Sequence, residues 1–134
     1  MSSPSKVKDG KLLLAPPRFL SLLLQRLPFW GTISATQRRS FSCAIRVADC
    51  RYNAESCFTL MREAYRQGVR VLCLPELCLT GYTCGDLFLQ DTLLDGAEEA
   101  LSTVLEATRS LDMIAAVGLP VRRHNKLYNC AAVI

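Results

Sequence analysis

The sequence predicts an α/β fold for residues 45–134, in which helices and strands alternate along the chain. Three observations predict it. Apolar residues recur at helical spacing in two segments, short apolar runs follow each of them, and glycine or proline stands at most of the boundaries. The resulting order of helix, strand, helix, strand and strand is typical of layered α/β proteins and not of helical bundles.

The first predicted helix begins at Asn53, a residue type that often caps helix N-termini, and ends at Gly68. Its apolar residues recur every three or four positions, which predicts one buried face. Gly68 is suited to the left-handed conformation that commonly follows a helix. The run V-R-V-L-C-L at residues 69–74 then predicts a buried strand, which Pro75 ends.

The second part of the domain repeats this pattern. A helix is predicted over about residues 92–110, because apolar residues occupy one face and glutamates the other. Residues 113–117 form the next predicted strand, which a glycine and a proline end. A polar turn at residues 122–126 leads into an apolar strand at residues 127–134. We expect the sheet to be incomplete at the C-terminus, with an exposed apolar edge on this last strand.

Charge is divided unevenly along the chain. The 16 basic and 12 acidic residues give a net charge of +4, and the basic excess lies in residues 1–44. A nucleic-acid-binding face needs such charges on a folded surface with aromatic partners, whereas here they are spread among serine, proline and leucine. We therefore expect no nucleic-acid partner.

Residues 1–44 differ from the rest of the chain in composition and in the pattern of apolar residues. Their apolar runs are too short for a membrane span, and Pro16 and Pro17 interrupt the continuous apolar region that a secretory signal needs. The content of arginine and serine also fits an organelle transit peptide with processing near residues 39–42. The favoured interpretation is a basic, poorly ordered extension without membrane association.

The seven cysteines form no C-x-x-C pair, and His124 is the single histidine. Zinc sites need closely spaced ligand pairs, so we expect no metal site. Most of the cysteines have apolar neighbours, which predicts buried and reduced thiols in a cytoplasmic protein.

Glu76 is the candidate catalytic residue by position. It follows a predicted buried strand and precedes a loop that contains two glycines, and ligands of α/β sheets collect beyond the carboxyl ends of strands. We expect a carboxylate at this position to be partly desolvated, which suits proton transfer; the alternative is a surface or salt-bridged glutamate. Tyr82 is a candidate only through its closeness to Glu76. The glycines of the loop form no phosphate-binding pattern.

Four segments of the domain form a recognisable set. They read A-D-C-R-Y-N-A-E at 48–55, V-L-C-L-P-E-L-C-L-T-G-Y-T-C-G-D-L-F-L-Q-D at 71–91, V-G-L-P at 117–120 and K-L-Y-N-C-A-A-V-I at 126–134. Together they resemble the nitrilase, or carbon–nitrogen hydrolase, superfamily. The stretch P-E-L-x-L-T-G-Y-T-x-x-D-L-F is narrower and is similar to the amino-terminal glutaminase domain of bacterial glutamine-dependent NAD synthetases.

The resemblance implies an α-β-β-α sandwich with a Glu, Lys, Cys catalytic set. Glu76 matches the family's glutamate, the general base that activates the cysteine thiol, and Tyr82 matches a residue that lines the glutamine pocket. The family's lysine and cysteine lie beyond the segment 126–134. Lys126 and Cys130 are therefore not their counterparts.

For function, the resemblance implies that residues 45–134 are the leading half of a glutaminase domain, within a fragment of a glutamine-hydrolysing NAD synthetase. This domain would use no cofactor of its own, and its ammonia would pass to a carboxy-terminal synthetase domain that uses ATP and deamido-NAD. The family forms homo-oligomers. Two alternatives stay open, namely another nitrilase-family amidase and a non-catalytic interaction fragment.

Overall fold

The computed structural model describes residues 13–15 and 42–134. The described elements are strand β1 (Leu13–Ala15), helix α1 (Cys50–Arg66), strand β2 (Val71–Cys73), a 3₁₀ helix (Gly85–Leu89), helix α2 (Asp91–Thr108), strand β3 (Ile114–Arg123) and strand β4 (Lys126–Val133). The four strands form one sheet in the order β1-β4-β3-β2. The β2–β3 pair is parallel, and the other two pairs are antiparallel. The predicted α/β fold is confirmed.

The predicted poor order of residues 1–44 concerns a segment that lies outside the described residues apart from β1 and the last few positions before residue 45. It stays a prediction. β1 itself pairs with residues 131–133 of β4, so the edge that we expected to be exposed is covered along that part of the strand.

Helix α1 begins after Asp49 and not at Asn53. The Asp49 Oδ1 atom accepts a hydrogen bond from the Tyr52 backbone N–H at 3.1 Å, which satisfies one of the free donors of the first turn. The predicted cap at Asn53 is wrong because the Asn53 side chain binds partners outside the helix. At the other end, Gly68 has a φ of +83°, as its position in the sequence predicts.

Asn53 joins three parts of the chain and is completely buried. Its Nδ2 donates to the backbone carbonyls of Arg46 at 2.7 Å and Leu79 at 3.1 Å, and its Oδ1 accepts from the Arg46 N–H at 2.7 Å. One side chain therefore connects α1 to the segment that precedes it and to the loop that follows β2.

Both helices pack on one face of the sheet. The core that they share with the strands contains three alternate residues of β3, namely Ala115, Val117 and Leu119, and Ala132 of β4. Because side chains alternate across a strand, Gly118 and the residues at positions 116 and 120 project to the opposite face.

Strand β3 continues through the glycine and proline that were predicted to end it. Ala115 and Ile134 exchange both backbone hydrogen bonds, at 2.8 and 2.9 Å, so alternate positions of β3 are the ones bonded to the neighbouring strand. Pro120, opposite Asn129, falls on a pair without such bonds. Its missing N–H therefore costs no bond to β4, and the predicted end of the strand is wrong for this reason.

Replacing Asn53 by alanine should lower the free energy of unfolding by about 3 kcal/mol or more, because each buried backbone group left without a partner costs about 1–3 kcal/mol. Urea denaturation measures the change. The control is Ser102→Ala, which removes an exposed hydroxyl bonded to the Glu98 carbonyl of its own helix. This control should stay within about 0.5 kcal/mol of the parent. Equal stability of the two variants would show that Asn53 does not connect these segments.

Candidate active site

The chain leaves β2 and crosses the face of the sheet that is turned away from the helices. Residues 75–77 lie directly over Gly118. A Cβ atom at this position would lie 2.5 Å from the Leu77 backbone nitrogen and 2.7 Å from the Pro75 carbonyl oxygen. Only a residue without a side chain allows the loop to approach the strand this closely.

Backbone hydrogen bonds hold the loop on β3. The Leu74 N–H donates to the Ala116 carbonyl at 2.9 Å, and the Leu79 N–H donates to the Gly118 carbonyl at 3.2 Å. Between these contacts Leu77 has a φ of +49°, a conformation that is uncommon for a residue other than glycine. Its carbonyl accepts a hydrogen bond from the Gly81 N–H at 2.7 Å. Hydrogen bonds thus hold the backbone in place both before and after Glu76.

The Glu76 side chain lies at the surface, beyond the carboxyl end of β2. Its Oε1 accepts a hydrogen bond from Nδ2 of Asn129, a half-buried residue of β4. This is the surface position that the sequence left open as an alternative to a partly desolvated one. Within residues 42–134, no cation lies within 4.0 Å of the carboxylate, so the salt-bridged form of that alternative does not describe it.

Asn129 is the member of this arrangement that the sequence reasoning missed. It stands inside the segment K-L-Y-N-C-A-A-V-I that carried the family resemblance, but nothing in that segment distinguishes the asparagine from its neighbours. The contact with Glu76 depends on the register of β3 and β4, which places Asn129 opposite Pro120. Residues 53 positions apart in the chain meet only when that register is known.

The other candidate residues occupy different places. Tyr82 lies six residues after Glu76 in the same loop, and its side chain is 77% exposed. Lys126 is exposed at the start of β4. Cys130 follows Asn129 directly, so its side chain projects to the helix-facing side of the sheet and away from Glu76.

The thiols nearest the site are not arranged for attack on a substrate. Burial raises the pKa of the Cys73 and Cys130 thiols. A hydrogen bond with Cys57 lowers the pKa of the Cys78 thiol and raises that of Cys57, but both residues are completely buried. The Cys78 thiol, whose pKa is lowered, lies two residues after Glu76 but is completely buried, so a substrate cannot reach it.

The described residues also limit two other kinds of site. Residues 42–134 contain no group of three or more histidine, cysteine, aspartate or glutamate side chains that could hold a metal ion. Within the same part of the chain, no helix combines the length and the apolar composition that crossing a membrane requires.

A comparison with protein-family models places these residues in a known family. The model described as Carbon-nitrogen hydrolase matches residues 33–134, which is more than half of the chain. The chain therefore belongs to the carbon–nitrogen hydrolase family. This match begins at residue 33, whereas the resemblance carried by the sequence motifs begins at about residue 45.

Several known proteins are similar to the chain, and each is a glutamine-dependent NAD(+) synthetase. The protein from Mycobacterium leprae is 34% identical over 99 residues, which cover 67% of this chain and 15% of that protein. The protein from Aquifex aeolicus is 39% identical over 88 residues, which cover 66% of this chain and 15% of that protein. The crystal structure from Cytophaga hutchinsonii superimposes with a TM-score of 0.60 at 35% identity and covers 69% of this chain and 16% of that one. The chain spans 15% of the length of these two curated relatives.

Replacing Gly118 by alanine should lower the free energy of unfolding by about 1–3 kcal/mol, because the added methyl group would overlap backbone atoms of residues 75–77. Thermal or urea unfolding measures the loss. Gly96→Ala is the matched control: its Cβ would lie 3.6 Å from the Cys50 Sγ, an ordinary contact, and alanine favours α2 by about 0.5–1 kcal/mol. A Gly118→Ala variant as stable as the control would contradict the close approach of the loop.

Proposed function

We propose that residues 45–134 form the leading half of a glutaminase domain, in which Glu76 is the general base for hydrolysis of the glutamine side-chain amide. The observation that carries the proposal is the state of the Glu76 carboxylate, which is exposed beyond the end of β2 while Asn129 binds one of its oxygens. Membership of the carbon–nitrogen hydrolase family supports the type of reaction. The relatives, which are glutamine-dependent NAD(+) synthetases, support glutamine as the substrate.

A general base has to be within reach of the proton that it removes, and it has to be held in place. Glu76 meets both requirements, since its carboxylate is exposed and its backbone lies against Gly118. In the proposed reaction the carboxylate accepts the proton of a cysteine thiol. The thiolate attacks the amide carbon, the protonated Glu76 returns the proton to the amide nitrogen so that it leaves as ammonia, and water then hydrolyses the thioester. The lysine and the cysteine that the family resemblance implies have no counterpart among the described residues.

Tyr82 is proposed to line the glutamine pocket. The residue is 77% exposed and lies on the same loop that carries Glu76, so it is available for contact with a ligand. The ammonia would serve a separate synthetase domain that uses ATP and deamido-NAD, and the glutaminase domain would need no cofactor. The whole protein would be a cytoplasmic homo-oligomer that acts on small molecules and binds neither nucleic acid nor membrane.

The role of Glu76 can be tested in a hybrid enzyme, defined as the Aquifex aeolicus NAD(+) synthetase in which residues 45–134 of this chain replace the matching segment. Glu76→Gln should lower glutamine-driven NAD synthesis by about 10²–10⁴-fold, because the amide cannot accept a proton. Synthesis driven by free ammonia should be unchanged, since ammonia bypasses the glutaminase site. Both rates are measured by NAD formation.

The control for this variant is Glu99→Gln, which changes an exposed glutamate of α2 and should leave both rates unchanged. If Glu76→Gln lowered the two rates together, Glu76 would be a structural residue. If Glu76→Gln left glutamine-driven synthesis intact, Glu76 would not be the base, and a non-catalytic role for this segment would be favoured.

The 134-residue chain by itself should release no ammonia from glutamine. Without a nucleophile, a general base can only activate water to attack an unactivated amide. The Cys78 thiol, whose pKa is lowered, is completely buried and cannot serve as that nucleophile. The measurement is ammonia release by the purified chain, with a thiol-alkylated sample as the control. Turnover that alkylation abolishes would identify one of the seven cysteines as a working nucleophile and would contradict this assignment.

A further inference from the structure

We propose that Asn129 is the positioning residue of Glu76. Its side-chain amide holds Oε1 of the carboxylate and leaves Oε2 as the oxygen that accepts the proton. This inference rests on the proposed function of Glu76 as the general base, and it adds a second residue, on a different strand, to that function.

The chemistry of the two groups sets the direction of the hydrogen bond. An ionised carboxylate only accepts hydrogen bonds, so the NH₂ end of Asn129 faces it and Nδ2 is the donor. The terminal torsion of a glutamate side chain is broad, and in free solution its two oxygens exchange places easily. A donor fixed on one oxygen removes that exchange. The remaining oxygen then has a defined direction for proton transfer.

The backbone around the pair fixes both partners. Asn129 lies opposite Pro120 on a pair without backbone hydrogen bonds, where side chains of facing residues come closest. The Glu76 backbone lies over Gly118, two positions earlier on the same face of β3, which corresponds to about 6.7 Å along the strand. The glycine admits the loop, and the register brings the asparagine within reach of its carboxylate.

A contact with a purely structural role would be expected in the core, but the contact between Asn129 and Glu76 lies at the surface. Glu76 is exposed and Asn129 is half-buried, whereas the structural asparagine of this domain, Asn53, is completely buried and binds three backbone groups. Exposed hydrogen bonds contribute little to stability because water replaces them readily. Orientation of the carboxylate is the consequence that remains.

The contact can be tested in the 134-residue chain by nuclear magnetic resonance. The side-chain NH₂ signals of Asn129 should have different chemical shifts in the parent chain and in Glu76→Gln, because the variant replaces the carboxylate that Nδ2 binds. Gln67 is an internal control because its Nε2 donates to Glu63 Oε1 at 2.8 Å, so its signals should be the same in the two proteins. Asn129 signals that are the same in the two proteins would overturn the proposal.

The role in the reaction can be tested in the hybrid enzyme. Asn129→Leu keeps a branched side chain but has no donor, and it should lower kcat for glutamine by about 10–10²-fold with KM changed less than about twofold. Ammonia-driven synthesis should be unchanged. Tyr128→Phe is the matched control, since Tyr128 is the preceding residue of β4 and projects to the other face of the sheet; its kinetic constants should equal those of the parent.

The outcomes separate this proposal from the proposed function. Parental kcat in Asn129→Leu together with loss of activity in Glu76→Gln would overturn the positioning role and leave Glu76 as the base. A rise in KM at unchanged kcat would also overturn it, because Asn129 would then act in substrate binding. Parental activity in both variants would overturn the role of Glu76 itself. The magnetic resonance experiment decides whether the contact exists even if Asn129→Leu fails to fold in the hybrid enzyme.

Discussion

The close approach of residues 75–77 to Gly118 is the contact on which the candidate site depends. It brings residues 75–77 onto the outer face of the sheet, and the Gly118 carbonyl accepts a backbone hydrogen bond from Leu79, which follows them. The left-handed backbone of Leu77 turns the chain there, and the residues that follow become completely buried. A methyl group at position 118 would separate these layers. The direction in which Glu76 leaves the sheet is therefore set by the absence of one side chain.

The two faces of the sheet carry different parts of the structure. The helix-facing side is built from small and aliphatic residues, and its burial against α1 and α2 stabilises the fold. The opposite side carries residues 75–77 of the loop, the Glu76 carboxylate and Asn129. Asn53 connects the two, because it belongs to α1 and yet binds the Leu79 carbonyl in the loop. One buried hydrogen bond thereby joins α1 to the loop that carries Glu76.

The partner of the Glu76 carboxylate is a neutral amide. An amide orients the carboxylate through a hydrogen bond without placing a formal charge beside it. The cysteines Cys57 and Cys78 show the opposite arrangement, since both are completely buried in the core. An exposed carboxylate at Glu76 and completely buried thiols at Cys57 and Cys78 fit the proposal that this segment contributes only the base to the reaction.

The sequence by itself determined the α/β class, the approximate span of both helices, the left-handed Gly68 and the position of Glu76 after a strand, because periodicity, capping and motifs are local properties of the chain. Only the tertiary structure decided that Asn53 is a buried connector and not a cap, and that β3 continues through Pro120. It also decided that Glu76 is exposed and bound by Asn129. These features depend on strand register and on the close approach of distant backbone segments, and no local pattern of residues encodes which partner will be near.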